Sequence, residues 1–344
     1  MTSRCCSDCI DDSFLRSEAV SRQPVIGQCD FCDAEAVPLL LLEELAEHFE
    51  PLLQLYEVDS SGAGLSLPAI LRRDWGLFPT LTDQKASDLL SQIVPELQLG
   101  TATYQGPPSA TTSVLGDWES FRAELMRRNR FFPSMKLEED LDGDLFWLHL
   151  EADSSEVPTH FYRGRVSRDR TKLGEEEMGA PPPGLTRDGR ANPLGIPYLY
   201  VASDTETAIC ELRPHPSEVV CVGRFEVIEE LALVDLRNPK RTISPFRIGE
   251  DELRRVYGHI SGLSQLGEEL SRPILPRAAE LEYLPSQYLS EFIKRCGFDG
   301  LIYRSAMGPG TNYALFAQDK THCDRVRTYE IRGTTVDFDE IAGD

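Results

Sequence analysis

The chain has 344 residues, long enough for two domains, and its 41% hydrophobic and 27% charged residues are typical of a globular protein with a sizeable core. Acidic residues outnumber basic ones by 57 to 35, and the formal charge of -22 argues against broad binding to nucleic acid or to an anionic membrane. A phosphate-bearing small molecule stays open if arginines cluster locally. No stretch approaches the ~20 apolar residues of a membrane span. Met1 to Asp12 is polar rather than an apolar leader, so the expected location is the cytoplasm, where the nine cysteines stay reduced.

Residues 1–37 are polar and punctuated by cysteine. Cys6 and Cys9 form one CxxC hook, and Cys29 and Cys32 form a second, with nineteen residues between the two. Two such hooks suit a tetrahedral four-thiolate zinc site of the structural kind, in a segment too poor in apolar residues to fold alone. Cys5 stands beside the first hook as an alternate ligand or spare thiol. Residues 38–150 read as helical. One helix runs from Pro38 through Leu42, Leu45, Phe49 and Leu53, with Pro51 expected to kink or divide it. A second covers Asp83–Val94. Residues 99–116 read as a loop, and a third helix covers Asp117–Arg130 with Asp117 as its N-cap.

After Pro158 the texture changes to short β-like runs: 161–166, 198–202, 219–227, 232–236, 301–303 and 313–316. Four features stand out. Arg163 and Arg165 lie two apart on one strand and so share a face. Arg190 projects from the Pro/Gly-rich loop 179–195, where a guanidinium fork can grip phosphate oxygens. Ser203-Asp204-Thr205-Glu206 reads as a capping box opening a helix that carries Glu211 on the border of its apolar face. A helix over 285–296 precedes Phe298-Asp299-Gly300, a buried strand, and Ser305 at the strand's end beside Gly308-Pro309-Gly310.

In this order and spacing the chain resembles the RES family, named for its Arg, Glu and Ser. The matching pieces are Tyr162-Arg163, the Gly189–Gly195 loop, the strand ending in Tyr200, Ala208 to Glu211, Ser286-Gln287, and the run leading to Ser305. The helical first half resembles the Cys-containing HEPN-like domain that precedes some RES domains, although it lacks the Arg-x(4-6)-His motif of HEPN ribonucleases. The expected fold class is α+β. A zinc-binding CxxC segment (1–37) and a helical HEPN-like domain (38–150) precede an ADP-ribosyltransferase-like RES domain (158–335) with a split, antiparallel-rich β core.

The resemblance implies a toxin that degrades NAD by cleaving the nicotinamide–ribose bond, in a toxin–antitoxin or phage-defence setting. Water as acceptor would make it a glycohydrolase, phosphate a phosphorylase, and a macromolecule a transferase; a non-catalytic binding module is the remaining reading. Glu211, Arg163, Arg190 and Ser305 would be catalytic. Tyr162, Tyr200, Arg165 and Asn192 would bind the dinucleotide, with Arg163 favoured over Arg165 as the first arginine of the motif and Tyr198 competing with Tyr200. NAD is the implied substrate and structural zinc the implied metal. Partners would be an antitoxin or regulatory protein, or a second copy of the chain.

Overall fold

The computed structural model describes residues 3–21, 25–61, 63–96, 102–107, 118–134, 150–152, 154, 156–272, 274 and 279–334. In chain order its elements are β1 (Arg4–Cys6), α1 (Ser7–Ile10), α2 (Ser13–Ser21), β2 (Val25–Gly27), β3 (Val37–Leu41), α3 (Leu42–Leu53), β4 (Glu57–Val58), α4 (Leu67–Trp75), α5 (Asp83–Ile93), β5 (Tyr104–Gln105) and α6 (Trp118–Arg127). There follow β6 (His160–Ser167), β7 (Leu199–Ala202), α7 (Thr205–Cys210), β8 (Val219–Val227), β9 (Leu233–Asp235), α8 (Pro239–Thr242), α9 (Glu250–Ser271), α10 (Ala279–Glu282), α11 (Leu284–Arg295), β10 (Gly300–Arg304), β11 (Thr311–Leu315) and β12 (Thr321–Glu330).

Backbone contacts divide the chain into two compact units. The first comprises residues 1–121, 133–142 and 238–265, and the second 122–132, 143–237 and 266–344. In the first, β1, β3 and β2 form a small antiparallel sheet in the order β1-β3-β2. Helices α3, α4 and α5 bury Leu45, Phe49 and Leu52, then Leu67, Leu71 and Trp75, then Ala86, Leu89 and Ile93, at the 3–4 residue spacing that puts each set on one helical face. The buried Asp74 carboxylate accepts from the Tyr56 and Tyr257 hydroxyls at 3.2 and 3.0 Å, and Trp75 Nε1 donates to Tyr56 at 2.9 Å. A buried carboxylate needs such partners to offset its lost hydration.

The second unit is built on a seven-stranded sheet in the order β12-β8-β6-β7-β11-β10-β9. Every pairing is antiparallel except β10 with β9. One face buries Phe161, Val201, Phe225, Ile302, Tyr313 and Val326; on the other, Ala202, Val220 and Val222 meet Ala208 of α7. Gly164 allows this second layer to close, because a Cβ there would lie 2.6 Å from the Ala208 carbonyl oxygen and 2.8 Å from Leu212 Cδ1.

Several expectations need correcting. Pro38 lies in strand β3, not at a helix start, and α3 begins at Leu42. The apolar run Val37–Leu41 pairs with both β1 and β2, and that pairing prevails over the helical spacing of its leucines. Pro51 does not divide α3: it removes the bond that its N–H would make to the Glu47 carbonyl, but only two helical residues follow it and the helix continues to Leu53. The expected loop 99–116 contains β5, which pairs with β4, while its residues 99–101 and 108–116 and the expected cap Asp117 lie outside the described residues. Helices α4 and α9 and strand β12 were not expected at all. The cap of α7 is Asp204 rather than Ser203: its carboxylate accepts from Thr207 N at 2.8 Å and from the Ser203 hydroxyl at 2.7 Å.

Candidate functional site

Strands β6 and β7 share a single residue pair, Tyr162 with Ala202, whereas β6 and β8 pair along their whole length from His160 to Ser167. Beyond that pair β6 and β7 splay apart. A cleft of about 920 Å³ opens beside them, lined by Arg163 and Arg165 of β6, Tyr198 and Tyr200, the loop residues Gly189 and Asn192, and Leu212. That volume is in the upper range for small-molecule sites.

Alternation along β6 sends Phe161, Arg163 and Arg165 to one face of the sheet and Tyr162 to the other, so Tyr162 does not share the cleft with the arginine that follows it. Arg163 Nη1 donates to the Tyr200 carbonyl at 3.2 Å and Arg165 Nη2 to the Gly179 carbonyl at 2.7 Å. The Nε of each arginine is shielded from water without a hydrogen-bond acceptor. Burial, then the like charge of Arg165, brings Arg163 down to about 10; burial also lowers Arg165, with Glu177 opposing. Two adjacent guanidiniums with unfilled donors are poised for an anion with several oxygens. Arg168, Lys172 and Arg187 add cations to the cleft lining.

The loop beside the cleft is held from within. The Tyr200 hydroxyl accepts from Ala191 N and Asn192 N at 2.9 and 3.1 Å and donates to Asn192 Oδ1 at 2.8 Å. Asn192 Nδ2 donates to the carbonyls of Arg187, Pro193 and Ile196. Ser286 and Gln287 of α11 donate to the carbonyls of Arg190 and Gly189 at 2.5 and 2.8 Å. Arg190 donates through Nη1 to the carbonyls of Leu270 and Arg272 at the end of α9, and its guanidinium lies 5.7 Å from the Tyr283 ring centre. Tyr198 is buried against Phe316, and its hydroxyl donates to Glu291.

Glu211 and Ser305 meet. The Ser305 hydroxyl donates to Glu211 Oε1 at 2.6 Å, and Asn312 Nδ2 donates to the same oxygen at 2.7 Å. Among the described residues no hydrogen bond reaches Oε2. Glu211 occupies the C-cap of α7 and precedes the cleft residue Leu212. Burial, then Tyr200 and Glu211, push the buried Tyr303 phenol well above its ordinary value, while Arg190 opposes; Glu211, Ser305 and Asn312 are not among the residues that line the cleft. Thus Glu211, Ser305 and Asn312 form one cluster, and Arg163, Arg165, Tyr200 and Asn192 border one cleft. Asn312 and Tyr303 had no motif to mark them. Only their places on β11 and β10, beside Ser305, could have singled them out.

In the first unit, the sulfurs of Cys6, Cys9, Cys29 and Cys32 all lie within 4.8 Å of one another, with separations of 3.7, 3.5 and 3.5 Å for Cys6–Cys9, Cys6–Cys32 and Cys9–Cys29. A tetrahedral ion with bonds of about 2.3 Å to sulfur needs sulfurs about 3.8 Å apart, so the cluster could bind zinc. Burial drives Cys6 up to about 11. Burial acts the same way on Cys29, but the surrounding backbone amides, Cys32, Cys6 and Phe31 among them, outweigh it and hold that thiol down to about 7. Cys5 is fully buried and is not one of the four, since alternation along β1 turns it away from Cys6.

The family model for the RES domain matches residues 164–339, just over half of the chain; the match takes in Arg165, Arg190, Glu211, Ser305 and Asn312 and begins one residue after Arg163. No curated protein matches. Among solved structures, the crystal structure of the M.tuberculosis MbcT-MbcA toxin-antitoxin complex is similar at 13% identity and a TM-score of 0.32, over 56% of this chain and 91% of that one. At that score the likeness decides neither fold nor activity.

Proposed function

Because the chain belongs to the RES-domain family, we propose that its second unit cleaves the bond between nicotinamide and ribose in NAD. The observation that carries this reading is the carboxylate of Glu211, anchored through one oxygen by Ser305 and Asn312, with its other oxygen unengaged among the described residues. Nicotinamide in NAD is a pyridinium and leaves as a neutral base, so its departure needs no general acid. What the reaction needs is a negative group beside the sugar as positive charge develops at the anomeric carbon. Glu211 Oε2 suits that task, and two donors on Oε1 keep the carboxylate from rotating away.

Arg163 and Arg165 would take the diphosphate, their unfilled Nε donors supplying what a neutral ligand would waste. Tyr200 would form a wall of the cleft, and Asn192 would hold the loop that shapes it. Arg190 would act mainly as a brace, since one of its nitrogens already serves the end of α9. Water, phosphate or a macromolecule could each be the acceptor; water needs no further site and ranks first.

An enzyme that empties NAD is toxic to the cell that makes it, which gives the protein its place as a toxin restrained by an antitoxin or a trigger. The first unit, with zinc in its four-cysteine cluster, would serve regulation. The test is to incubate the purified full chain with NAD, with and without phosphate, and follow products by mass spectrometry. Free nicotinamide with ADP-ribose is expected. Undiminished NAD, or consumption that Glu211→Ala leaves at the wild-type rate, would overturn the reading.

A further inference from the structure

On the sheet face opposite Arg163, the edge strand β12 and its neighbour β8 carry a second group of arginines. Arg224 of β8 is paired directly with Arg325 of β12, and Tyr162 of β6 is paired with Arg224 from the other side. A β-bulge between Cys323 and Arg325 places one extra residue, Asp324, in the edge strand. The shift brings Arg325, Arg327 and Tyr329 to the same side as Arg224 and Tyr162, around a hollow of about 140 Å³ to which Thr205 adds a hydroxyl. Bulges re-aim side chains in this way.

Like charges directly opposite on neighbouring strands are destabilising unless something neutralises them. Asp324 grips Arg224 through both its carboxylate oxygens. Arg325 and Arg327 are exposed and make no ion pair among the described residues, though Arg325 adds to the positive field on Asp324. In a chain with 57 acidic residues against 35 basic ones, two neighbouring cations outside any described ion pair stand out. The hollow is too small for a nucleotide, whose sites begin at roughly 300 Å³. Apart from Val222, its lining is of guanidiniums, two phenols and a hydroxyl, all of which can donate.

We propose that this hollow is a second anion site that takes a single phosphate group, separate from the cleft. Arg325 and Arg327 would supply the charge. Tyr162, Tyr329 and Thr205 would supply further donors, and the Arg224–Asp324 pair would hold the rim. Inorganic phosphate and the phosphoryl end of a small monoester present the same chemistry to it.

The experiment is calorimetric titration of the full chain with inorganic phosphate and, separately, with ribose 5-phosphate. It uses the wild type, Arg163→Ala/Arg165→Ala to silence the cleft, and the same background carrying Arg325→Ala/Arg327→Ala. The cleft-silenced protein should still bind one phosphate, and loss of the two edge arginines should weaken that binding about tenfold or more for each. Arg325→Lys/Arg327→Lys should retain much of it. In the otherwise wild-type chain, Arg325→Ala/Arg327→Ala should remove one of two binding events, which keeps the test valid if the cleft variant fails to fold. Tighter binding of one ligand identifies whether free phosphate or a monoester is the occupant. Phosphate binding that is unchanged by the loss of Arg325 and Arg327, or absent from the cleft-silenced protein while it remains folded, overturns the proposal.

Discussion

Ser305 commits its only proton to Glu211. The Oγ–Oε1 distance is 2.6 Å, and the amides of Met307 and Gly308 donate to the same Oγ at 3.1 and 2.8 Å, so the hydroxyl has the carboxylate as its outlet. Ser305→Ala should therefore lower NAD turnover about 10- to 100-fold, the worth of one hydrogen bond to a charged group, with little loss of stability. Asn312→Ala should act on the same oxygen. The double variant should fall short of the product of the two single effects, because both act through one carboxylate. Steady-state kinetics of the four proteins checks this, and independent effects would show that Asn312 serves the strand alone.

Arg163 should be costly to the fold and needed by the ligand. Its guanidinium falls to about 10 when folded, below its ordinary value, because burial disfavours the charge. The sign follows from linkage. Below about pH 10 both states are protonated and the folded state bears the whole penalty; as pH rises further the folded state loses its proton first and the penalty is relieved. At neutral pH, Arg163→Met should raise the stability of the free protein by about 1–3 kcal/mol while abolishing NAD binding. Thermal melts with and without NAD check both halves. A variant that melts earlier than wild type would show that the bond to the Tyr200 carbonyl outweighs the desolvation.

Much of the second unit was legible in the sequence because its strands are short apolar runs between glycine and proline. Val219–Val227 was read to the residue, and β6, β7, β10 and β11 to within one or two at either end. Strand β12 was missed because five of its ten residues are charged or histidine: an edge strand needs an apolar side chain only where it meets the core, here Cys323 and Val326. The pairing of Glu211 with Ser305 was a bet on topology, since the two are 94 residues apart and only the sheet order brings them within hydrogen-bond reach. The opposite-face position of Tyr162 follows from alternation. The splaying of β6 from β7 could not be read, because it depends on pairing rather than on composition.

The four-cysteine cluster makes a prediction that discriminates among neighbours. Cys9→Ser should lose the metal from the full chain and lower the melting temperature of the first unit, because binding energy at a structural site is folding energy. Cys5→Ser, one residue from a ligand, should keep a full equivalent. Elemental analysis of the purified proteins decides. Metal lost from both would make Cys5 part of the binding set.

Gly310 should matter through distance rather than chemistry. A Cβ at this position would lie 2.2 Å from Asp204 Oδ2, 2.4 Å from Ser203 Oγ and 2.6 Å from Thr207 Oγ1, so the loop would have to lift away from the cap of α7. The Gly310 carbonyl also accepts from Ser305 N at 3.2 Å, so lifting the loop moves Ser305 with it. Gly310→Ala should cost about 1–3 kcal/mol of stability and reduce turnover about as far as Ser305→Ala does. In a chain already carrying Ser305→Ala, it should cost the same stability but little further rate, since the bond it would break is already gone. Gly184→Ala, where a Cβ would meet nothing within 4 Å, should change neither. Melting temperatures and turnover measured across these proteins separate the two effects, and a full further loss of rate in the Ser305→Ala background would mean that the loop acts on Glu211 by another route.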